Sequence, residues 1–291
     1  MKKGNSMLIK RALTIAAMML AFVACDESGQ QNTAEVEELE SIEAKLDEVD
    51  SKRAVMVESI IRSSPTLAET GEIFAEIGSD FSREYLNDIA NVDDYTTLST
   101  QGINLGVYMA DLGYITTFEQ SQEVIFYMNS AQKMAEGIGV SDVFDETTVE
   151  RMEMNINDTD SIIALISELY WKTDAFLKEL NRENISALII CGGWVEGMHM
   201  GSMLLSEGYE DNLIFEKFAK QHNNLKKIIN LLETFEGDED IDMFEARLNE
   251  IKLVYGDINY EDGKQYSDEE KAQLKTVAEK IEMLRSEIIK P

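Results

Sequence analysis

Residues 187–201 read Ala187-Leu-Ile-Ile-Cys-Gly-Gly-Trp-Val-Glu-Gly-Met-His-Met-Gly201, fifteen positions with one acid and no Lys or Arg. A second stretch, Gln101-Gly-Ile-Asn-Leu-Gly-Val-Tyr-Met-Ala-Asp-Leu-Gly-Tyr114, is built the same way. Helices that are apolar on most faces belong at the centre of a bundle, because an outer helix keeps one polar face for water. Each stretch also carries small residues at four-residue spacing: Gly102, Gly106 and Ala110 in the first, Gly193, Gly197 and Gly201 in the second. A glycine costs about 1 kcal/mol in a helix interior, and close approach of two helix backbones is the gain that offsets it. The two segments are therefore expected to cross or neighbour each other in the core.

Outward from this centre the chain reads as helix throughout. Its 291 residues hold only two prolines, Pro65 and Pro291, so the strongest interrupter of helices is nearly absent. Runs rich in Val, Ile and Thr with period-two alternation are scarce. Leu39, Ile42, Leu46, Val49, Met56 and Ile60 form an apolar stripe along a first helix with an acidic opposite face. Pro65, with Ser63 and Ser64 as caps, opens a helix to about 77. Further helices are expected over 95–117, 119–137, 145–154, 159–181, 184–206, 211–235, 241–255 and 267–288. The breaks carry Gly, Asn and Asp, and Ser267 to Glu270 is a capping-box pattern. The expected fold is all-α, a single bundle of about 9–10 helices with two central Gly-rich apolar helices, over residues 35–291.

The amino terminus is of a different kind. Lys2, Lys3, Lys10 and Arg11 precede a 13-residue uncharged run, Ala12 to Ala24. That run is short of the roughly 20 residues that span a bilayer and has the length of an export-signal core. It ends Phe22-Val23-Ala24-Cys25, which resembles the lipobox of bacterial lipoproteins. The resemblance implies a signal peptide over 1–24, cleavage before Cys25, lipid on the Cys25 thiol with palmitate among its acyl chains, and a polar tether over 25–34. The expected location is the bacterial cell envelope, membrane-anchored and either periplasmic or surface-exposed. Asp26-Glu27 after the cysteine is compatible with inner-membrane retention and with surface export alike. Cys191 is then the one remaining cysteine, expected to be a buried small hydrophobe.

Charge narrows the partners. With 26 Lys+Arg against 56 Asp+Glu the formal net charge is -30, the wrong sign for a nucleic-acid binder. Removal of residues 1–24 takes four basic residues and no acid. The expected partners are the membrane, through the N-terminal lipid, and another envelope protein or a small ligand.

Polar residues travel with the two apolar helices. Asn104, Tyr108, Asp111 and Tyr114 lie on one and Trp194, Glu196 and His199 on the other, and ionisable groups in a core mark either a pocket or a structural network. Leu105 to Tyr114 resembles a stretch found in uncharacterised helical lipoproteins of Gram-negative bacteria, a likeness that implies no activity. Glu196 and His199 have the spacing of a di-iron helix motif, but no second copy exists, since Ala219 stands three residues before His222. Asp257, Asn259, Glu261 and Asp268 approach a calcium loop with Gly263 one place out of register. No phosphate loop, Rossmann glycine pattern or nucleophile elbow occurs. No cofactor and no metal is expected. The function expected is a lipid-anchored envelope protein with a binding or scaffolding domain, and the alternative is a ligand receptor or enzyme with a pocket around Asp111, Glu196 and His199.

Overall fold

The computed structural model describes residues 48–61, 73–74 and 76–290. The chain divides into two compact units, residues 1–57 and 58–291. In the first the described residues, 48–57, are helical. The signal peptide, Cys25, the tether and Pro65 with its caps lie outside the described residues.

The second unit is all-α. From residue 98 onward it forms eight α-helices: α1 Leu98–Thr117, α2 Ser121–Ile138, α3 Glu146–Met154, α4 Thr159–Glu179, α5 Glu183–Ser206, α6 Asn212–Leu232, α7 Glu239–Tyr255 and α8 Asp268–Ile288. Two 3-10 turns, Arg83–Tyr85 and Ile89–Asp93, precede them, in a segment where no helical period was legible. Among the described residues no strand occurs.

The helix ends follow local chemistry. Thr97 caps α1 and pairs reciprocally with Thr100, while Asp158 and Asp211 accept backbone N–H groups at the starts of α4 and α6. Ser267 and Glu270 form the expected capping box on α8. These side chains satisfy N–H groups that have no partner within a helix. Gly139 ends α2 in the left-handed region, φ 81°, which glycine enters without a Cβ penalty.

The two apolar stretches become α1 and α5, and they form the closest helix pair of the bundle. A Cβ on Gly106 would land on the Ile189 carbonyl oxygen and lie 2.8 Å from the Gly193 nitrogen. One on Gly192 would land on the Ile103 carbonyl oxygen. The backbones therefore touch, and no larger residue fits between them. The expected crossing is present; on α5 it uses Gly193 of the ladder together with Gly192, one residue before it. Gly197 and Gly201 face elsewhere. Around this pair, α2 packs on α1, α8 on α5, and α6 on α5 and α7, while α4 lies against both central helices. Among the described residues α5 is the one helix long and apolar enough to cross a membrane by length and composition, and it is mostly buried within the bundle.

Candidate functional site

Two environments lie on different sides of α5. On the side of α1 and α8 the polar residues close on one another. Arg285, from the last turn of α8, donates Nε to Glu196 Oε2 at 3.0 Å and Nη2 to Glu196 Oε1 at 2.8 Å. This is the two-pronged geometry that makes guanidinium–carboxylate pairs strong. Arg285 Nη2 also donates to the Tyr85 carbonyl at 3.1 Å. His199 Nε2 donates to the same carbonyl at 2.9 Å, and His199 Nδ1 lies 2.7 Å from Glu282 Oε1.

Asp111 completes the group. Its Oδ2 accepts the Asn87 backbone N–H at 3.2 Å, and Oδ1 meets no N–H or O–H donor. Burial, and then the adjacent Glu196 carboxyl to which it hydrogen-bonds, push the Asp111 carboxyl well above its ordinary range. Burial beside a second carboxyl disfavours the charged form, so Asp111 is held toward its protonated form. Desolvation opposes the charge of Arg285, but the Glu196 carboxylate, bound at both prongs, outweighs it and holds the guanidinium above its usual value.

The same network fastens the segment before α1. Asn87 Nδ2 donates to Asn104 Oδ1 and to the Tyr95 hydroxyl, both at 3.1 Å, and Tyr127 donates to the Asn87 carbonyl at 2.8 Å. Tyr108 donates to the Asp88 carbonyl at 3.0 Å. Asn104 Nδ2 and the Tyr95 hydroxyl donate to the carbonyls of Ile288 and Ile289 at the end of α8. Asn87, Asn104, Asp111 and Glu196 are each 0% exposed. This cluster is solid, so it offers no space for a substrate.

On the other side one step of the α5 ladder, Gly197, faces open space among the described residues. A cavity of about 190 Å³ is bounded by Gly193, Gly197 and Gly201 together with Ile166 and Tyr170 of α4, and Ile214, Lys217, Phe218 and Gln221 of α6. A Cβ built on Gly197 would meet nothing within 4 Å. Tyr114 bounds one part of the wall. Its ring packs edge-on to Phe74 at 5.1 Å and stacks on Phe81 at 5.6 Å, and its hydroxyl accepts the Ser82 N–H at 2.9 Å. Burial raises the Tyr114 pKa to about 12, so this hydroxyl stays neutral.

The expected pocket thus separates into two sets. Asn104, Tyr108, Asp111, Glu196 and His199 belong to the solid network, and only Tyr114 and Trp194 border a cavity. The reason is rotational: Trp194 and Glu196 are two residues apart on a helix and point about 200° from each other. Sequence reading passed over Arg285, Lys217 and Gln221. The signal for two of them was present, because Arg285 occupies a stripe position after Leu274, Ala278 and Ile281. Gln221 likewise sits among Ile214, Phe218, Leu225 and Ile228. A polar residue inside an apolar stripe needs a buried partner.

The calcium loop is not assembled. Asn259 turns its amide to the Asp257 carbonyl at 3.0 Å, and Asp268 stands in the first turn of α8. Among the described residues no three His, Cys, Asp or Glu side chains converge on a metal position. Cys191 is buried and unpaired, and burial pushes its thiol up, away from the reactive thiolate. No protein-family model, no curated protein and no solved structure matches this chain.

Proposed function

We propose that this chain is a lipid-anchored protein of the bacterial cell envelope, held by Cys25, whose helical domain binds one compact, largely apolar molecule in the cavity under the glycine face of α5. The order of basic start, short apolar run, small residues and cysteine supports the anchor. The observation that carries the binding site is Gly197, a helix-interior glycine that abuts nothing among the described residues. At Gly106 the absence of a side chain admits a backbone. At Gly197 it leaves room, and an alanine there would cost the fold nothing by contact.

The volume sets the size of the guest. About 190 Å³ exceeds the ~150 Å³ of an apolar cavity that accepts benzene or xenon, and falls below the ~300 Å³ at which pockets for drug-sized ligands begin. The buried acid pair, Asp111 and Glu196, lies in the solid network rather than on the cavity wall, so the site is read as a receptor rather than a catalyst. The test is calorimetric titration with benzene. Saturable one-to-one binding is expected in the natural sequence and its loss in Gly197→Leu, with the unfolding midpoint kept or raised. Heat that does not saturate, or equal binding by Gly197→Leu, would falsify the receptor reading.

A further inference from the structure

The wall of this cavity has a sign that the rest of the molecule does not. Of 291 residues 56 are Asp or Glu, yet no acid borders the cavity among the described residues, and Lys217 is the one cation that does. Lys217 makes no ion pair among the described residues, nor do Lys178, Lys226 and Lys252, while Lys133, Lys172, Lys264, Lys275 and Lys280 each hold an Asp or Glu.

Gln221 supplies a second donor. It is 3% exposed, and its Oε1 accepts the Trp194 indole N–H at 3.1 Å and the Asn224 amide at 2.9 Å. An indole nitrogen only donates, which fixes the amide orientation and leaves Gln221 Nε2 with no hydrogen bond among the described residues. Lys217 and Gln221 are four residues apart on α6 and therefore share a face. The other polar wall groups are occupied: Tyr170 donates to the Gly106 carbonyl at 3.2 Å and Ser167 to the Ile163 carbonyl at 3.0 Å. What remains free among the described residues is an ammonium and an amide N–H, with apolar wall around them.

We propose that the ligand of this cavity is a small amphiphilic anion, a monocarboxylate with an apolar body of about benzene size, its carboxylate held by the Lys217 ammonium and Gln221 Nε2. This rests on the receptor reading above and adds the head group. The net negative charge of the protein does not forbid it. Exposed charges are screened over about 8 Å at physiological ionic strength, and a donor pair at a low-dielectric wall acts at contact.

The test compares phenylacetate, 2-phenylethanol and 2-phenylethylammonium by calorimetry at constant ionic strength. Phenylacetate is expected to bind at least tenfold more tightly than 2-phenylethylammonium. Lys217→Met is expected to reduce that preference at least fivefold and leave 2-phenylethanol unchanged. Gln221→Glu, which keeps an acceptor for Trp194, is expected to weaken phenylacetate alone. A preference for the ammonium compound, equal binding of the two ions, or a ratio unmoved by Lys217→Met overturns the anionic ligand and leaves the receptor reading standing. Benzene binding with none of the three bound does the same. Failure of all four compounds overturns both.

Discussion

One helix carries two glycine surfaces that serve opposite ends. Toward α1, Gly192 of α5 meets the Ile103 carbonyl, and Gly106 of α1 meets the Ile189 carbonyl, so two backbones pack with no side chain between them. Toward α4 and α6, Gly197 meets nothing and the space it leaves is a cavity. The residue type is alike on both surfaces. What differs is the neighbour, and with it the sign of the energy when a methyl group is added. Polar residues divide along the same line among the described residues: on the closed side Arg285 and Glu196 pair, and on the open side an ammonium and an amide are left without partners.

The largest expected effect lies on the closed side. Gly106→Ala puts a Cβ onto backbone rather than onto a movable side chain, so relief requires the helices to separate. A loss of about 4–5 kcal/mol is expected by urea denaturation, in the range that marks disrupted core packing. Retention of stability by this variant would break the contrast between the two surfaces. Arg285→Met follows, at about 3 kcal/mol, because it leaves Glu196 buried without its cation. Adding Glu196→Gln to it should restore most of that loss, a coupling that a double-mutant cycle measures.

On the open side the sign reverses. Gly197→Ala is expected to raise stability by about 1 kcal/mol, since helix propensity improves and no atom is displaced. A loss at this position would mean that the space is already filled. The smallest effect at neutral pH is expected from Asp111→Asn, which mimics the protonated carboxyl: it can donate to Glu196 and accept from Asn87. Its pH dependence is the informative part. The Asp111 carboxyl is raised in the folded protein, so from about pH 4, where an unfolded aspartate ionises, the folded state holds the extra proton. Natural-sequence stability then falls as pH rises, until the folded carboxyl itself ionises. Asp111→Asn removes that loss, so denaturation curves should diverge in its favour with increasing pH. Parallel curves would show that Asp111 is ionised in the fold.

Much of the architecture was legible because helix ends are local events. Thr97, Asp158, Asp211 and Ser267 cap within three residues of themselves, and Gly139 stops a helix by its own φ, so these boundaries needed no knowledge of neighbours. The prominence of α1 and α5 was equally legible from their lack of charge. The site was not. Glu196 and Arg285 are 89 residues apart, and nothing local names either as the partner of the other. Gly192 and Gly197 lie five residues apart on one helix, yet one faces a backbone and the other a cavity, a distinction set by how α5 is rotated against α1 and α4. The 3-10 turns at Arg83–Tyr85 and Ile89–Asp93 were missed for a related reason: tertiary hydrogen bonds to Tyr108, Tyr114 and Tyr127 hold that segment, not a repeating pattern.

The most direct measurement is methyl-region NMR of the protein titrated with benzene. Shifts at Ile166, Ile190, Leu204, Ile214 and the other methyls that border the cavity, with Leu105 and Ile185 at the α1 crossing unmoved, are the predicted result. Shifts spread evenly over both sides of α5, or no shift at the cavity methyls at saturating benzene, would contradict it.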